Sequence, residues 1–170
     1  MPSPAIHNHA VNHIAISVPD LDAAVHWYSI LFGFKKIRPN KVTDRDATPN
    51  APIFRIYGDT LRKVKIAYLG TGNGVGFEIF EFIEPRHREP ETEDFEYTRA
   101  GVYHICVTVT DVEDAIKRVE EMGGRQIGET VELGEDYHGE MRRAAYVRDP
   151  WGTVVEVLSC TFEALMANKV

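Results

Sequence analysis

Two histidines and two glutamates recur at matching places in this 170-residue chain, and their chemistry suits a metal centre. His13 and His104 sit in similar segments whose positions differ by a constant offset, 104 − 13 = 91. Glu78 and Glu156 sit in a second pair of similar segments, one in each copy. Two imidazoles and two carboxylates suit one divalent ion (Zn, Ni, Fe, Mn or Co) and leave coordination positions open for a substrate.

Both histidines fall on predicted strands, where successive side chains point to opposite faces of the sheet. The face that carries each histidine is small or polar; it also holds Ala15, Ser17, Cys106 and Thr108. The opposite face is aliphatic and is expected to pack against a helix, so we expect the histidine face to line a pocket. A single histidine or glutamate on a strand is more often solvated than functional. The recurrence of all four residues is what favours a metal site.

The repeat predicts an α+β fold built from two βαβββ modules in a pseudo-twofold arrangement. We predict a first module at 11–83, a linker at 84–99, a second module at 100–160 and a C-terminal tail at 161–170. The predicted strands are 11–18, 34–38, 62–69, 75–83, 101–109, 125–133, 141–147 and 152–159. Asp20 and Asp111 are placed to cap one helix in each module. Residues 39–60 contain two prolines and are predicted to be mostly loop.

The composition is that of a globular protein: 44% of the residues are hydrophobic and the net charge is −7. No basic stripe points to nucleic acid, and the apolar runs are shorter than the roughly 20 residues that span a bilayer. Residues 1–10 lack a secretory pattern, and two cysteines make no disulfide framework. We therefore expect a cytoplasmic protein that binds a small molecule rather than nucleic acid or a membrane. We also expect a homodimer, because its apolar faces exceed what one module can bury.

Six stretches carry a family resemblance, and together they extend over roughly residues 11–160. They are Asn12–Ile16, Trp27–Tyr28, Leu31–Phe34, Gly76–Phe80, Gly101–Ile105 and Asp149–Glu156. On these stretches the chain resembles the vicinal oxygen chelate superfamily. That superfamily includes glyoxalase I, methylmalonyl-CoA epimerase, extradiol dioxygenases and the fosfomycin- and bleomycin-resistance proteins.

The resemblance implies a paired βαβββ fold whose open barrel holds one divalent metal ion, with His13, Glu78, His104 and Glu156 as ligands. This ligand set looks like that of glyoxalase I, a lyase, whereas the dioxygenases use two histidines and one glutamate. The implied chemistry is proton abstraction next to a carbonyl, on a substrate that offers two neighbouring oxygens. Glu78 and Glu156 are then the catalytic acid–base residues, in an order that the sequence leaves open.

The chain departs from glyoxalase I at the residues that go with glutathione. The family has an arginine four residues after the first ligand and an asparagine four residues after the first glutamate. This chain has Ser17 and Phe82 at those places. We therefore expect a substrate other than a glutathione adduct, with a more apolar surface.

These observations predict a metal-dependent isomerase or lyase of the glyoxalase I type. The alternatives are an Fe(II) extradiol-type dioxygenase or an epimerase, and a metal-free protein that binds a small molecule, as resistance proteins do. Three roles stay open: whether Cys106 lines the cavity, whether Arg142 or Arg143 binds an anionic group, and whether Tyr68, Phe80 and Phe82 form a substrate wall or plain core.

Overall fold

The computed structural model of the chain describes residues 9–92 and 95–167. Strands and short helices alternate along it. In chain order they are β1 (His13–Ser17), α1 (Leu21–Phe32), β2 (Lys35–Lys36), β3 (Lys41–Asp44), α2 (Pro52–Tyr57), β4 (Lys63–Gly70), β5 (Gly76–Glu84), β6 (Ile105–Thr108), α3 (Val112–Glu121), β7 (Arg125–Glu135), β8 (Met141–Arg148), β9 (Val154–Leu158) and α4 (Phe162–Met166). Within the described residues, no helix is long and apolar enough to cross a membrane.

The chain divides into two compact units. The first unit consists of Met1–Val25 and Gly33–His87, and the second consists of His26–Phe32 and Arg88–Val170. Helix α1 therefore contributes its beginning to the first unit and its end to the second. The predicted module and linker boundaries stay predictions.

The sheet of the first unit has the strand order β1-β5-β4-β2, and β3 also pairs with β4. Strand β1 runs parallel to β5, and β4 runs antiparallel to it. Phe77 and Ile79 of β5 are fully buried. Glu78 lies between them and is only half-buried, because alternate side chains point to the opposite face of the sheet.

The sheet of the second unit has the strand order β6-β9-β8-β7. Helix α3 packs on this sheet and buries Val112, Ile116 and Val119. Val155 and Val157 of β9 are fully buried. Glu156 lies between these two valines and faces the other way, as Glu78 does in the first unit.

An aspartate side chain caps the N-terminus of each of the two long helices, as predicted. Asp20 Oδ1 accepts a hydrogen bond of 3.0 Å from the Ala23 backbone N–H, and Asp111 Oδ1 accepts one of 3.0 Å from Asp114. Each bond satisfies a backbone donor that has no partner inside the first turn of the helix. The α+β fold with one such helix in each βαβββ repeat is confirmed.

The prediction of a loop over 39–60 was wrong in part, because this segment contains β3 and α2. The predicted strand at 34–38 is correspondingly reduced to the two residues of β2. Pro52 stands in the first turn of α2, where a missing backbone N–H costs nothing. Phe54 then buries its ring against β4 and β5, in a cluster with Val64, Ile66 and Phe80. Burial of one aromatic ring, rather than helix propensity, stabilises this short helix.

The sequence predicted that His104 lies on a strand that begins at 101. In the structure His104 instead lies immediately before β6. The parallel ladder of β6 and β9 begins with Ile105 opposite Val155. The register of this ladder puts His104 opposite Val154, the first residue of β9, but residues 101–104 themselves form no strand. His13, in contrast, lies on its strand as predicted, although β1 begins at His13 and not at 11.

We predict that Phe54→Ala lowers the free energy of unfolding by about 3–5 kcal/mol, because it leaves a cavity in the cluster beneath α2. Ile56→Ala on the same helix is the matched control, since Ile56 is 78% exposed. We expect that change to stay within about 0.5 kcal/mol. Urea unfolding followed by circular dichroism measures both values, and equal losses in the two variants would contradict the packing described for α2.

Candidate metal centre and its sheet face

The first unit brings His13 and Glu78 together. His13 Nε2 lies 3.7 Å from Glu78 Oε2, across the parallel pairing of β1 and β5. The other ring nitrogen, Nδ1, lies 2.8 Å from the Asn12 side-chain oxygen. That oxygen can only accept, so an Nδ1–H that donates to it leaves Nε2 as the ring nitrogen that faces the carboxylate. An imidazole oriented by an outer acceptor in this way is suited to bind a metal.

The second unit repeats the arrangement with His104 and Glu156. His104 Nε2 lies 3.3 Å from Glu156 Oε2, and both side chains are mostly buried. The rings of Tyr103 and Tyr146 flank the imidazole at centroid distances of 4.6 Å and 5.3 Å. Nδ1 of His104 is buried and has no hydrogen-bond partner among the described residues. The aromatic neighbours hold the ring in place without engaging its nitrogen atoms.

The spacing inside each pair fits two ligands of one ion. Ligand atoms about 2.0–2.2 Å from a metal, at angles between 90° and 109°, lie roughly 2.8–3.6 Å from each other. The observed N···O distances of 3.3 Å and 3.7 Å are close to this range. In the described parts of the chain, 9–92 and 95–167, no group of three or more His, Cys, Asp or Glu side chains is close enough to hold a metal ion. The four predicted ligands therefore appear as two pairs, one in each unit.

A tyrosine lies directly opposite each glutamate on the neighbouring strand. Tyr68 of β4 pairs with Glu78, and Tyr146 of β8 pairs with Glu156. The tyrosines are 146 − 68 = 78 residues apart, which equals the spacing of the glutamates, 156 − 78 = 78. Our sequence analysis missed Tyr146, although Ala67-Tyr68-Leu69 and Ala145-Tyr146-Val147 are similar segments that could have revealed it.

Both tyrosines keep their phenolic protons to unusually high pH. Burial, followed by the negative charge of Glu78, raises the pKa of Tyr68. Burial, and then the charge of Glu156, likewise raises the pKa of Tyr146. Directly opposed residues have Cβ atoms about 4.5–5.5 Å apart, so each tyrosine side chain starts next to that of its glutamate and carries a neutral phenol on the same face of the sheet.

Cys106 lies opposite Glu156 on the β6 side of β9, so it does line this face. Burial, followed by the charge of Glu156 and a hydrogen bond to its carboxylate, raises the pKa of the Cys106 thiol to about 12. A thiol with so high a pKa stays protonated at neutral pH and is a poor nucleophile. Cys106 therefore contributes shape and a weak donor rather than covalent chemistry.

Each glutamate face is closed at one end by a short helix. In the first unit Phe54 of α2 packs on Ile66 and Phe80, and in the second unit Leu165 of α4 packs on Ala144 and Leu158. The residues that receive the two helices also correspond at the offset of 78. Phe80 and Phe82 are stacked, with ring centroids 5.6 Å apart, and belong to this packed end. They are mainly core, and Tyr68 is the aromatic residue that reaches the glutamate.

Neither Arg142 nor Arg143 is placed to bind a substrate anion beside Glu156: backbone oxygens occupy the Arg142 guanidinium, and Arg143 lies on the opposite face of β8 from Tyr146. Arg142 donates to the backbone oxygens of Gly134 and Glu135 and to that of Ala164 in α4. Arg143 pairs with Glu132, with Nη2 3.2 Å from Oε1. Arg142 thus holds α4 over its end of the sheet, and Arg143 is a surface ion pair.

The turn that leads into β9 is built around a buried aspartate. Asp149 accepts hydrogen bonds from the Trp151 and Thr153 backbone N–H groups and one of 2.8 Å from the Tyr28 hydroxyl. Burial raises the pKa of this carboxyl, against the opposing effect of its hydrogen bonds. These hydrogen bonds hold the turn that ends just before β9, which begins at Val154.

Comparison with known proteins points to one superfamily. The sequence model of the Glyoxalase/Bleomycin resistance protein/Dioxygenase superfamily matches residues 10–157. The chain is 31% identical over 147 residues to ethylmalonyl-CoA/methylmalonyl-CoA epimerase of Cereibacter sphaeroides, covering 86% of this chain and 95% of the relative. It is 27% identical over 152 residues to 2-epi-5-epi-valiolone epimerase of Actinomyces sp, covering 88% and 79%.

Solved structures show the same fold at lower sequence identity. A glyoxalase family protein from Bacillus cereus superposes with a TM-score of 0.71 at 19% identity, covering 92% of this chain and 97% of the other. The fosfomycin resistance protein FosX from Listeria monocytogenes, solved with Mn(II) and sulfate, gives a TM-score of 0.57 at 14% identity, covering 93% and 98%.

Proposed function

Because this chain belongs to the Glyoxalase/Bleomycin resistance protein/Dioxygenase superfamily, we propose that it is a divalent-metal-dependent isomerase that epimerises a carbon next to a carbonyl. The observation that carries this proposal is the repeated His–Glu pair: each unit offers one imidazole and one carboxylate at the spacing of two metal ligands. Two relatives are both named epimerases although their named substrates differ: one is a CoA thioester and the other is a valiolone.

His13, Glu78, His104 and Glu156 are the side chains that would hold the ion. A divalent ion bound by these residues acts as a Lewis acid that polarises the substrate carbonyl and makes the neighbouring C–H more acidic. The oriented Nε2 of His13 and the aromatic packing around His104 prepare both imidazoles for binding. The two carboxylates balance the charge of a divalent ion, and imidazole ligands add no charge to it.

Epimerisation needs one group that removes the proton and another that returns a proton to the opposite side of the carbon. The two units supply one glutamate each, which meets that requirement. Tyr68 and Tyr146 remain neutral beside these carboxylates and can donate to a carboxylate or to a substrate oxygen. Raised pKa values at both phenols favour donation over ionisation throughout the neutral pH range.

Proton exchange in D2O tests this proposal with substrates that the relatives name. The chain, loaded with Zn²⁺, Mn²⁺ or Co²⁺, is incubated with methylmalonyl-CoA, ethylmalonyl-CoA or 2-epi-5-epi-valiolone, and proton NMR follows the signal of the carbon-bound hydrogen. Metal-dependent loss of that signal, together with inversion, supports the epimerase. No exchange with any of the three substrates would overturn it.

The glyoxalase I-type lyase is the second candidate, since it shares the proton-abstraction step and the His-Glu-His-Glu donor set. Ser17 is hydrogen-bonded to His87, with Oγ 2.8 Å from Nδ1, and the ring of Phe82 is stacked on that of Phe80. Neither side chain therefore takes the part of the arginine or the asparagine that go with glutathione in glyoxalase I. Turnover of the hemithioacetal of methylglyoxal and glutathione would favour this lyase. Oxygen uptake with catechols would indicate a dioxygenase, and tight binding without metal or turnover would indicate a resistance-type protein.

We also propose a homodimer, which light scattering tests.

A further inference from the structure

Positive charge is concentrated along the outer edge of the sheet in the first unit. Lys35, Lys36, Arg38 and Lys41 fall within seven residues of β2 and β3, and positions 23–43 contain no aspartate or glutamate. All four side chains are exposed. The chain as a whole carries a net charge of −7. A local excess of positive charge raises the local concentration of anionic ligands, so we asked which face of the sheet it serves.

Sheet register fixes the positions of two of these cations. Lys35 pairs with Gly70 and Lys41 pairs with Ile66, both on β4. Tyr68 lies midway between these two residues of β4. Four residues along a strand span about 13 Å, so the two lysines mark the ends of a row of that length with Tyr68 beside its middle.

This row lies on the same face of the sheet as Glu78. Tyr68 pairs with Glu78, and directly opposed side chains point to the same face. The partners of Lys35 and Lys41 are each two residues from Tyr68 along β4, so they share its face, and the two lysines share it with them. Two strand spacings, about 10 Å, separate the row from the strand of Glu78. Lys36, the residue after Lys35, faces the opposite way.

Arg38 completes the row and is held by an aromatic ring. Its Cζ lies over the ring of Tyr68, 5.2 Å from the centroid. Burial and then the charge of Glu78 raise the pKa of Tyr68, and the charge of Arg38 opposes them. A guanidinium stacked on a ring keeps the N–H groups of its edge free of that ring, and this fork matches two oxygens of a phosphate or carboxylate. Arg38 is therefore an oriented donor at the middle of the row.

The three cations of the row, Lys35, Arg38 and Lys41, form no ion pair with any residue that the structure describes. Other cations of the first unit do pair with carboxylates: Arg45 with Asp59, Arg62 with Asp46, Lys63 with Asp44 and Lys65 with Glu81. Asp22 accepts a hydrogen bond of 2.7 Å from Asn40, but its charge acts on Lys65, which faces away from Glu78. The row therefore keeps its positive charge for a ligand.

The second unit repeats this strand without most of its charge. Ile127 of β7 pairs with Tyr146, and the Ile37 N–H donates to the backbone oxygen of the corresponding tyrosine of the first unit. The two segments thus correspond at an offset of 127 − 37 = 90. The corresponding row has a cation only at its first position, and its other two positions are Gly128 and Val131. The fold does not need these cations, so they give the two units different roles toward a substrate.

The face between Glu78 and the row is open on one side of Tyr68. Gly76 of β5 pairs with Gly70 of β4, so no side chain stands at these two positions. A Cβ atom at Gly70 would meet only Ile37, with Cδ1 at 3.7 Å. A substrate arm can therefore lie across this part of the sheet, between the glutamate and the cations.

We propose that the row of Lys35, Arg38 and Lys41 binds the phosphate groups on a long arm of the substrate, while the reacting carbon lies beside Glu78. The proposal rests on the proposed function, since it names the substrate class of the same site. Arg38 is the specificity-determining residue, because Tyr68 orients its guanidinium. The lysines add charge on either side of it. The separation of about 10 Å from the strand of Glu78 calls for an extended, phosphorylated substrate rather than a small free acid.

Amide NMR of the full chain loaded with Zn²⁺ tests the row without any turnover. The probe is adenosine 3′,5′-bisphosphate, and adenosine is its uncharged control. We expect the bisphosphate, and not adenosine, to shift the amides of Lys36, Ile37 and Lys41. Arg38→Gln should weaken binding of the bisphosphate about fivefold, the upper range for one exposed ion pair. Lys36→Gln removes the same charge from the opposite face and is the matched control, which should bind within about twofold of wild type.

The outcomes separate the phosphate row from the reaction. If a CoA thioester undergoes exchange in D2O, Arg38→Gln should raise its KM about fivefold with kcat unchanged, and Lys36→Gln should not. An unchanged KM together with an unchanged titration in Arg38→Gln would overturn the row while the epimerase stands. If no substrate undergoes exchange but the titration gives the expected shifts and their weakening, the epimerase is overturned and the phosphate site stands.

Three further results would each count against the row itself. Equal amide shifts with adenosine would show that phosphate is not recognised. Shifts confined to the amides beside His13 and His104 would place the phosphate on the metal ion, and an absence of shifts would show no binding. Exchange of the valiolone alone, which carries no phosphate, would also overturn the phosphorylated arm.

Discussion

Glu156→Gln is expected to lower the rate of epimerisation by about a thousandfold, because the amide cannot accept the proton that the carboxylate takes from carbon. Glu78→Gln is expected to do the same. Both side chains are half-buried on a sheet face, and glutamine has the same shape, so the fold should survive. Chiral analysis of product from the substrate identified by proton exchange measures the effect. Glu132→Gln, on strand β7 of the second sheet, is the matched control and should retain wild-type turnover.

The two variants should differ in what they retain. If one glutamate serves each side of the substrate carbon, Glu156→Gln keeps slow deuterium exchange on one epimer and Glu78→Gln keeps it on the other. Loss of exchange on the same epimer in both variants would assign the proton transfer to a single base. Wild-type epimerisation in either variant would remove that glutamate from the catalytic role.

The repeat made much of this protein predictable from its sequence. It indicated the family, the α+β fold and the aspartate caps of α1 and α3, all of which are confirmed. It also indicated which residues belong to the candidate site. Successive side chains of a strand point to opposite faces of the sheet, so the sequence shows which residues share a face. The pairing of each histidine with its own glutamate follows from that alternation and from the parallel register.

What the sequence did not reveal depends on contacts between segments that are distant along the chain. Helix α2 lies in a proline-containing segment whose local pattern is that of a loop, and it forms because Phe54 finds a buried position on β4 and β5. Tyr68 becomes a neighbour of Glu78 only through the antiparallel register of β4 and β5. None of these contacts leaves a periodic signal.

Removal of either histidine is expected to abolish metal binding. The chain dialysed against equimolar Zn²⁺ and Mn²⁺ should retain about one divalent ion, and His13→Ala or His104→Ala should weaken its affinity by more than about a hundredfold, since losing even an outer partner of a ligand costs ten- to a hundredfold. Asn12→Ala, which removes only the acceptor of His13 Nδ1, should weaken it by about tenfold. His26→Ala, on the exposed side of α1, is the control. Elemental analysis and calorimetric titration measure content and affinity.

The stoichiometry decides how the two His–Glu pairs are used. If His13, Glu78, His104 and Glu156 share one ion, wild type binds one ion per chain and each single histidine variant binds none. If each pair held its own ion, wild type would bind two and each variant would keep one. Equal and complete loss of metal binding in His13→Ala and His104→Ala therefore supports a shared site. Only an ion that is bound by both histidines is lost when either one, in either sheet, is replaced. Retention of one ion in either variant would contradict the four-ligand centre, and with it the Lewis-acid role on which the proposed epimerisation depends.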